Sequence, residues 1–222
     1  GRAFAPPFVS SEQVLWRNLM ALELDPHRYG LQQTTAPGAV AVPTSDAKAW
    51  LRVTNSDDDT VIAALVARAT QYVENETRRQ LVNASWTMKL DSFPHGSFIH
   101  FPVAPLQSVT SISYLDGDGA SQTLPTSVYA VDTTTDPGRI FLKSGQEWPS
   151  TLDQANAVSV VAVAGYGSSG SDVPPGLLQA VLMLTAHFYE HREAVDPRGG
   201  QFGEVPLGVH NLIQQFYLAR AY

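Results

Sequence analysis

The hydrophobic pattern of this chain changes period twice. From residue 44 to about 82, apolar residues recur at helical spacing. From about 84 to 165 they alternate, and from 174 the helical spacing returns. A chain with that order has to close helices from both flanks around a sheet built from its middle, because neither a helical bundle nor a pure sandwich absorbs both periods. The expected class is α+β: a helical frame, with a long helix in its N-terminal half and helices at its C-terminal end, carrying an inserted antiparallel β domain. The 16 Gly and 15 Pro residues support many turns.

Two domains are expected. Residues 1–42 form an N-terminal arm. Within it, Ser10-Ser11-Glu12 opens a short helix, 11–24, whose stripe is Val14, Leu15, Leu19 and Leu22; Asp25-Pro26 ends it, and Thr34 to Gly38 reads as a flexible or extended linker. Such a helix cannot bury its stripe alone, so it docks either on its own domain or on a partner. Residues 43–222 form the main domain, with helices over 44–82, the β insertion over 84–165, and helices over 174–194 and 207–222.

Inside that domain, Thr44-Ser45-Asp46 is expected to cap a short helix, Ala47 to Val53. Asp57, Asp58 and Asp59 precede a long helix, 59–82, and suit its positive end. Its buried stripe is Val61, Ile62, Leu65, Val66, Ala69, Tyr72 and Val73, while Glu74 to Arg79 reads as polar and exposed. Strands follow at 85–90, 98–101, 109–115, 129–132, 139–142 and 158–164, six or seven in all. The last is almost wholly apolar and belongs in the centre of its sheet. Asp116-Gly117-Asp118-Gly119 marks a tight hairpin. In the next helix Leu177, Leu178, Val181, Leu182, Leu184, Phe188 and Tyr189 cover most of the circumference, as in a core helix or a subunit interface. The terminal helix aligns Val209, Leu212, Ile213, Phe216 and Tyr217.

Composition narrows the function. The net charge is −7, which argues against gripping nucleic acid through a broad basic surface. The absence of Cys removes disulfides and thiol chemistry. No apolar run approaches the ~18 residues of a membrane-spanning helix, and Gly1 to Pro7 lacks the apolar centre of a signal peptide. Three motifs resemble chemistry. Gly165-Tyr-Gly167-Ser-Ser-Gly170 matches a dinucleotide fingerprint, but Ser171 to Pro175 separates it from the helix and no parallel strand follows, so it reads as a strand-to-helix connection. His187, Glu190 and His191 form an H-x-x-E-H helix that could hold zinc with Glu190 as base; the third ligand would have to come from Glu193, Asp196, Glu204 or His210. The acids at 57–59 and at 116 and 118 lack EF-hand spacing and are explained by a helix start and a turn.

A wider pattern runs from about 44 to 218. It comprises Asp46 to Val53; Asp58-Asp59 with Ile62, Leu65 and Ala69; Trp86, Leu90-Asp91, Phe93-Pro94, Pro105 to Val109 and Tyr114; Tyr129, Val131-Asp132, Pro137-Gly138-Arg139 and Trp148-Pro149; Ala164 to Gly167; and Val173-Pro174 with Tyr189 to Val195. In this order the segments resemble the head–tail adaptor (connector, head-completion) proteins of long-tailed bacteriophages and gene-transfer agents. Residues 1–42 have no counterpart in that pattern, and Leu218 stands where the family often carries a basic residue.

The resemblance implies a structural virion protein rather than an enzyme, with no cofactor and no metal. It implies a ring of about twelve subunits closed by a heterologous interface, assembled in the host cytoplasm and located at the head–tail junction. The portal protein lies on one side and a stopper or tail-completion protein on the other. DNA passes through the channel without sequence-specific binding, and no membrane is involved. About twelve copies at −7 would carry roughly 84 negative charges, a field that does not hold passing DNA. Phe216, Tyr217 and Tyr222 are the expected portal contacts, and Leu178, Leu182, Phe188 and Tyr72 the expected subunit interface. Helix 11–24 is expected to bind a neighbouring virion component. The alternatives are a zinc-dependent hydrolase using His187, Glu190 and His191, and a monomeric binding module.

Overall fold

The computed structural model describes residues 29–191 and 207–218. Four helices and two antiparallel sheets make up these residues. Helix α1 is Thr44–Leu51, α2 is Asp59–Thr77, α3 is Pro175–Glu190 and α4 is Leu207–Gln214. The strands are β1 (Tyr29–Thr35), β2 (Ala84–Leu90), β3 (Phe98–His100), β4 (Leu106–Leu115), β5 (Ser121–Thr123), β6 (Tyr129–Asp132), β7 (Arg139–Leu142) and β8 (Val158–Ala164). The helices flank the sheet segment in sequence, as the double change of period requires.

The larger sheet runs β1-β2-β8-β4-β5 and the smaller β3-β7-β6. Strand β8 is central, and its even-numbered residues Val158, Val160, Ala162 and Ala164 are all buried. They share one core with Met88, Leu90 and Ile112 of the larger sheet and with Ile99, Tyr129 and Ile140 of the smaller. The turn at 93–96 is anchored by Phe93, stacked on Trp148 at 4.9 Å and edge-on to Tyr114. A second core lies among the helices: Ile62, Val66, Ala69 and Val73 of α2 meet Leu177, Val181 and Leu184 of α3 and Val209 and Ile213 of α4.

A short seam, residues 78–83, joins the two cores. Arg78 takes a left-handed conformation (φ 55) and turns the chain out of α2. The Gln80 N–H then donates to the Ala104 carbonyl at 2.8 Å, the Tyr166 N–H to the Leu81 carbonyl, and the Asn83 N–H to the Gly167 carbonyl. Leu81 and Val82 are buried in the helical core, and β2 begins two residues later.

Several expectations need correction. Helix α2 ends at Thr77, not near 82, because the seam requires extended backbone. The Thr44-Ser45-Asp46 cap does not form: Pro43 precedes the helix and its carbonyl accepts from the Asp46 and Ala47 N–H groups. No carboxylate caps α2 either. Asp59 pairs with Lys48, and Asp58 accepts the Tyr189 hydroxyl at 2.6 Å. The segment 74–79 is not an exposed polar run, since Thr77 is fully buried and Glu74 and Arg79 are largely covered. Residues 29–35 form an edge strand on β2, so of the chain read as linker Thr35 pairs with Ser85, and Thr34 bulges beside it with its hydroxyl bonded to that of Thr87. Helix α3 ends at Glu190, short of the expected 194. Helix α4 stops at Gln214, where three-residue bonds from Phe216 to Ile213 and Tyr217 to Gln214 tighten the chain. Helix 11–24, the loop at 196–200 and Tyr222 lie outside the described residues.

Candidate assembly surfaces

The glycine-rich loop is a packing device. A Cβ on Gly165 (φ +142) would stand 2.5 Å from the Asn83 backbone nitrogen; one on Gly167 would meet the Asp172 carboxylate at 2.3 Å; one on Gly170 would meet the Ala41 carbonyl at 2.0 Å. All three faces that a phosphate would need are filled by the protein itself. Asp172 accepts from the Ser169 N–H at 3.0 Å, closing the turn before α3.

Of the third-ligand candidates for the H-x-x-E-H helix, Glu193, Asp196 and Glu204 lie outside the described residues. The rings of His187 and His191 stand 4.8 Å apart. Burial lowers the His187 pKa, the nearby His191 lowers it further, and Glu190 opposes both. Among the described residues no group of three His, Asp or Glu side chains could hold a metal. Asp116 spends its carboxylate on the Gln122 amide and the Ala120 and Asp118 N–H groups, which hold its pKa below the usual carboxylate range. That is turn chemistry.

The residues nominated for assembly cluster around the helical core. Tyr72, Leu178, Leu182, Phe188, Phe216 and Tyr217 are all half-buried against it. Leu178 and Leu182 stand one turn apart on α3. Phe188 carries the Arg68 guanidinium over its ring at 4.3 Å. The structure brings Tyr72 of α2 beside Tyr217: burial raises the Tyr72 hydroxyl pKa, and Glu76 and Tyr217 raise it further. One residue from each set, nominated for different partners, therefore stands beside the other. Phe216 and Tyr217 lie just past α4 rather than on it. The Phe216 ring packs over Gly176, where a Cβ would come within 3.3 Å, and the Tyr217 hydroxyl reaches His210 Nδ1 at 3.3 Å.

The residue that fixes this C-terminal segment was not singled out from sequence. Arg79 Nε donates to the Phe216 carbonyl at 2.7 Å, its terminal nitrogen pairs with Asp136 at 2.8 Å, and it also hydrogen-bonds Tyr166. One planar guanidinium thus ties the C-terminal segment, the strand β6–β7 connection and the glycine-rich loop together. Nothing in the local sequence distinguishes Arg79 from its neighbour Arg78, which is exposed.

Beside it lies a buried polar network. Glu74 accepts from the Leu81 N–H at 2.9 Å and the Gln80 amide at 2.7 Å. Gln80 in turn accepts from the Trp86 indole at 3.2 Å and the Gln33 amide at 3.4 Å. Burial pushes the Glu74 pKa up to about 7, against the lowering effect of the Leu81 N–H.

Solved structures with this fold include chains from particle necks. A chain from the neck of an empty gene transfer agent (GTA) particle, at C6 symmetry, superposes with a TM-score of 0.72 and 25% identity, covering 87% of this chain and 97% of that one. Another from the virion of a native GTA particle gives 0.71 and 24%, covering 86% and 97%. A third, from the neck of a native GTA particle at C12 symmetry, gives 0.66 and 24%, covering 87% and 97%. Curated protein sequences yield no match. Residues 44–113 match the family model described as phage gp6-like head-tail connector protein. That match runs from α1 into β4 and marks the stretch as similar to a structural connector.

Proposed function

We propose that this protein is a ring-forming adaptor at the virion neck, seated between the portal and a stopper or tail-completion protein and extending the DNA channel. The observation that carries this reading is the shared fold with GTA neck chains over 87% of this chain, seen there at C6 and C12 symmetry. A ring of about twelve copies fits those symmetries and needs one face of each subunit to meet a different face of the next. Leu178, Leu182, Phe188 and Tyr72 supply the apolar part of that contact in this reading. Each is held in place by its own core yet keeps part of its surface outside. Phe216, Tyr217 and Tyr222 supply the portal contact, since aromatic anchors dominate interface energetics. In this reading the N-terminal arm is residues 1–28, because residues 29–42 join the body through β1 on β2 and the buried Ala41 and Val42.

Native mass spectrometry of the purified chain, alone and mixed with portal rings, tests the proposal. The expected result is a closed oligomer near twelve copies, at least on the portal. A monomer under both conditions overturns the ring and favours a monomeric binding module.

A further inference from the structure

We propose that residues 11–24 of this chain pack into the groove between β1 and α2 of their own subunit. The groove has a volume of about 760 Å³. Tyr29 and Leu31 of β1 and Ala63 and Ala67 of α2 line it, together with Val40 and Trp86.

The groove exists because the core face of the larger sheet continues past its cover. Tyr29 pairs with Leu90 and Leu31 with Met88, so they stand on the face that is buried on β2. On β1 that face is open: Tyr29 is 43% exposed and Leu31 38%, whereas Met88 is 1% and Leu90 8%; Val40, beyond the strand, is 63% exposed. These apolar side chains lack the partner that their neighbours across the strand possess.

The chain outside the structure supplies the occupant. Tyr29 itself lines the groove, and only residues 25–28 separate it from the segment whose stripe is Val14, Leu15, Leu19 and Leu22. Four residues reach at most about 14 Å. A tether that short gives an effective concentration in the millimolar range, well above that of a free copy. Lengths also agree. A helix of residues 11–24 would be about 21 Å long, and the α2 wall from Ala63 to Asn75 spans about 18 Å. An amphipathic segment that needs an apolar surface thus ends four residues from a groove of about its own length, apolar at Tyr29, Leu31, Ala63 and Ala67 and polar at Thr70, Gln71, Glu74 and Asn75. This inference does not rest on the ring.

The chain has no Cys, so engineered cysteine pairs report cleanly. Leu15→Cys, Leu19→Cys and Leu22→Cys would each be combined with Ala67→Cys or Gln71→Cys, both exposed positions, and oxidised in dilute full-length protein. The expected product is an intrachain disulfide in at least one pair, and none when Arg17→Cys, on the opposite side of the segment, replaces the stripe cysteine. Interchain disulfides in place of intrachain ones would mean that the groove holds a second copy's arm, which overturns the proposal. Absence of any disulfide in variants with unchanged circular dichroism and Tm also overturns it. As a second measurement, the double variant Leu15→Asp, Leu19→Asp should speed amide hydrogen exchange in β1 and at 63–71 by about tenfold. Unchanged exchange there would contradict the docking. Failure to form rings with the portal would leave both results standing.

Discussion

Glu74 is a carboxyl group placed where its charge is costly. Its ordinary pKa of 4.5 rises to about 7 because burial removes solvent that two hydrogen-bond donors only partly replace. The folded state therefore holds the proton more tightly than the unfolded chain. The stability linked to that proton is complete below about pH 4.5, declines as the pH climbs to about 7, and changes no further above it. Glu74→Gln keeps an acceptor for the Leu81 N–H and cannot ionise. We expect the variant to match the parent at pH 4.5 and to exceed it at pH 8 by up to about 3 kcal/mol. Thermal melts at the two pH values check this, and a pH-independent difference would contradict it. The sequence placed Glu74 on an exposed polar face because polar residues do not announce their partners. Here the partners, Gln80 and the Leu81 N–H, lie beyond the helix, and Gln80 is held in turn by Gln33 and Trp86 from two further segments. Arg79 escaped notice for the same reason: its contacts lie 57 and 137 positions away.

At the scale of elements, legibility followed burial. Strands β2, β4, β6, β7 and β8 each bury one face, so their alternation could be read. Strand β1 is exposed throughout and so is β5. A strand that buries nothing leaves no alternating pattern, which is why both were missed. Helix centres were legible and helix ends were not, because α2 is stopped by a seam and α4 by a tightened turn rather than by local breakers. The glycine-rich loop carries the sharpest prediction at this scale. Gly165→Ala would force a Cβ against the Asn83 backbone at a positive φ. We expect a loss of roughly 3 kcal/mol or more, measured by urea denaturation. Gly117→Ala, with nothing within 4 Å, should cost little. Comparable losses at both sites would refute the packing account of the motif. The assembly residues were legible only as apolar positions; that Tyr72 and Tyr217 stand together depends on α4 folding back across α2, which no local pattern encodes.

For the whole molecule, the seam governs how the two cores behave. The backbone bonds of Gln80, Asn83 and Tyr166, with the buried side chains of Leu81 and Val82, leave neither core a free boundary. We expect a single melting transition whose calorimetric and van't Hoff enthalpies agree. Two resolved transitions would show that helices and sheets unfold separately. The same construction suits a connector, which must hold its shape between two neighbours while its ends are engaged.

The grip of Arg79 has a consequence for such a part. Its nitrogens answer to both the Phe216 carbonyl and the Asp136 carboxylate. A partner that drew the C-terminal segment away would leave a partly buried cation with one anchor fewer and strengthen its claim on the other. Engagement of the C-terminal segment would then be felt at the turn before β7, on the other side of one guanidinium, without any helix having to bend. The guanidinium would couple the position of the C-terminal segment to that of the β6–β7 connection.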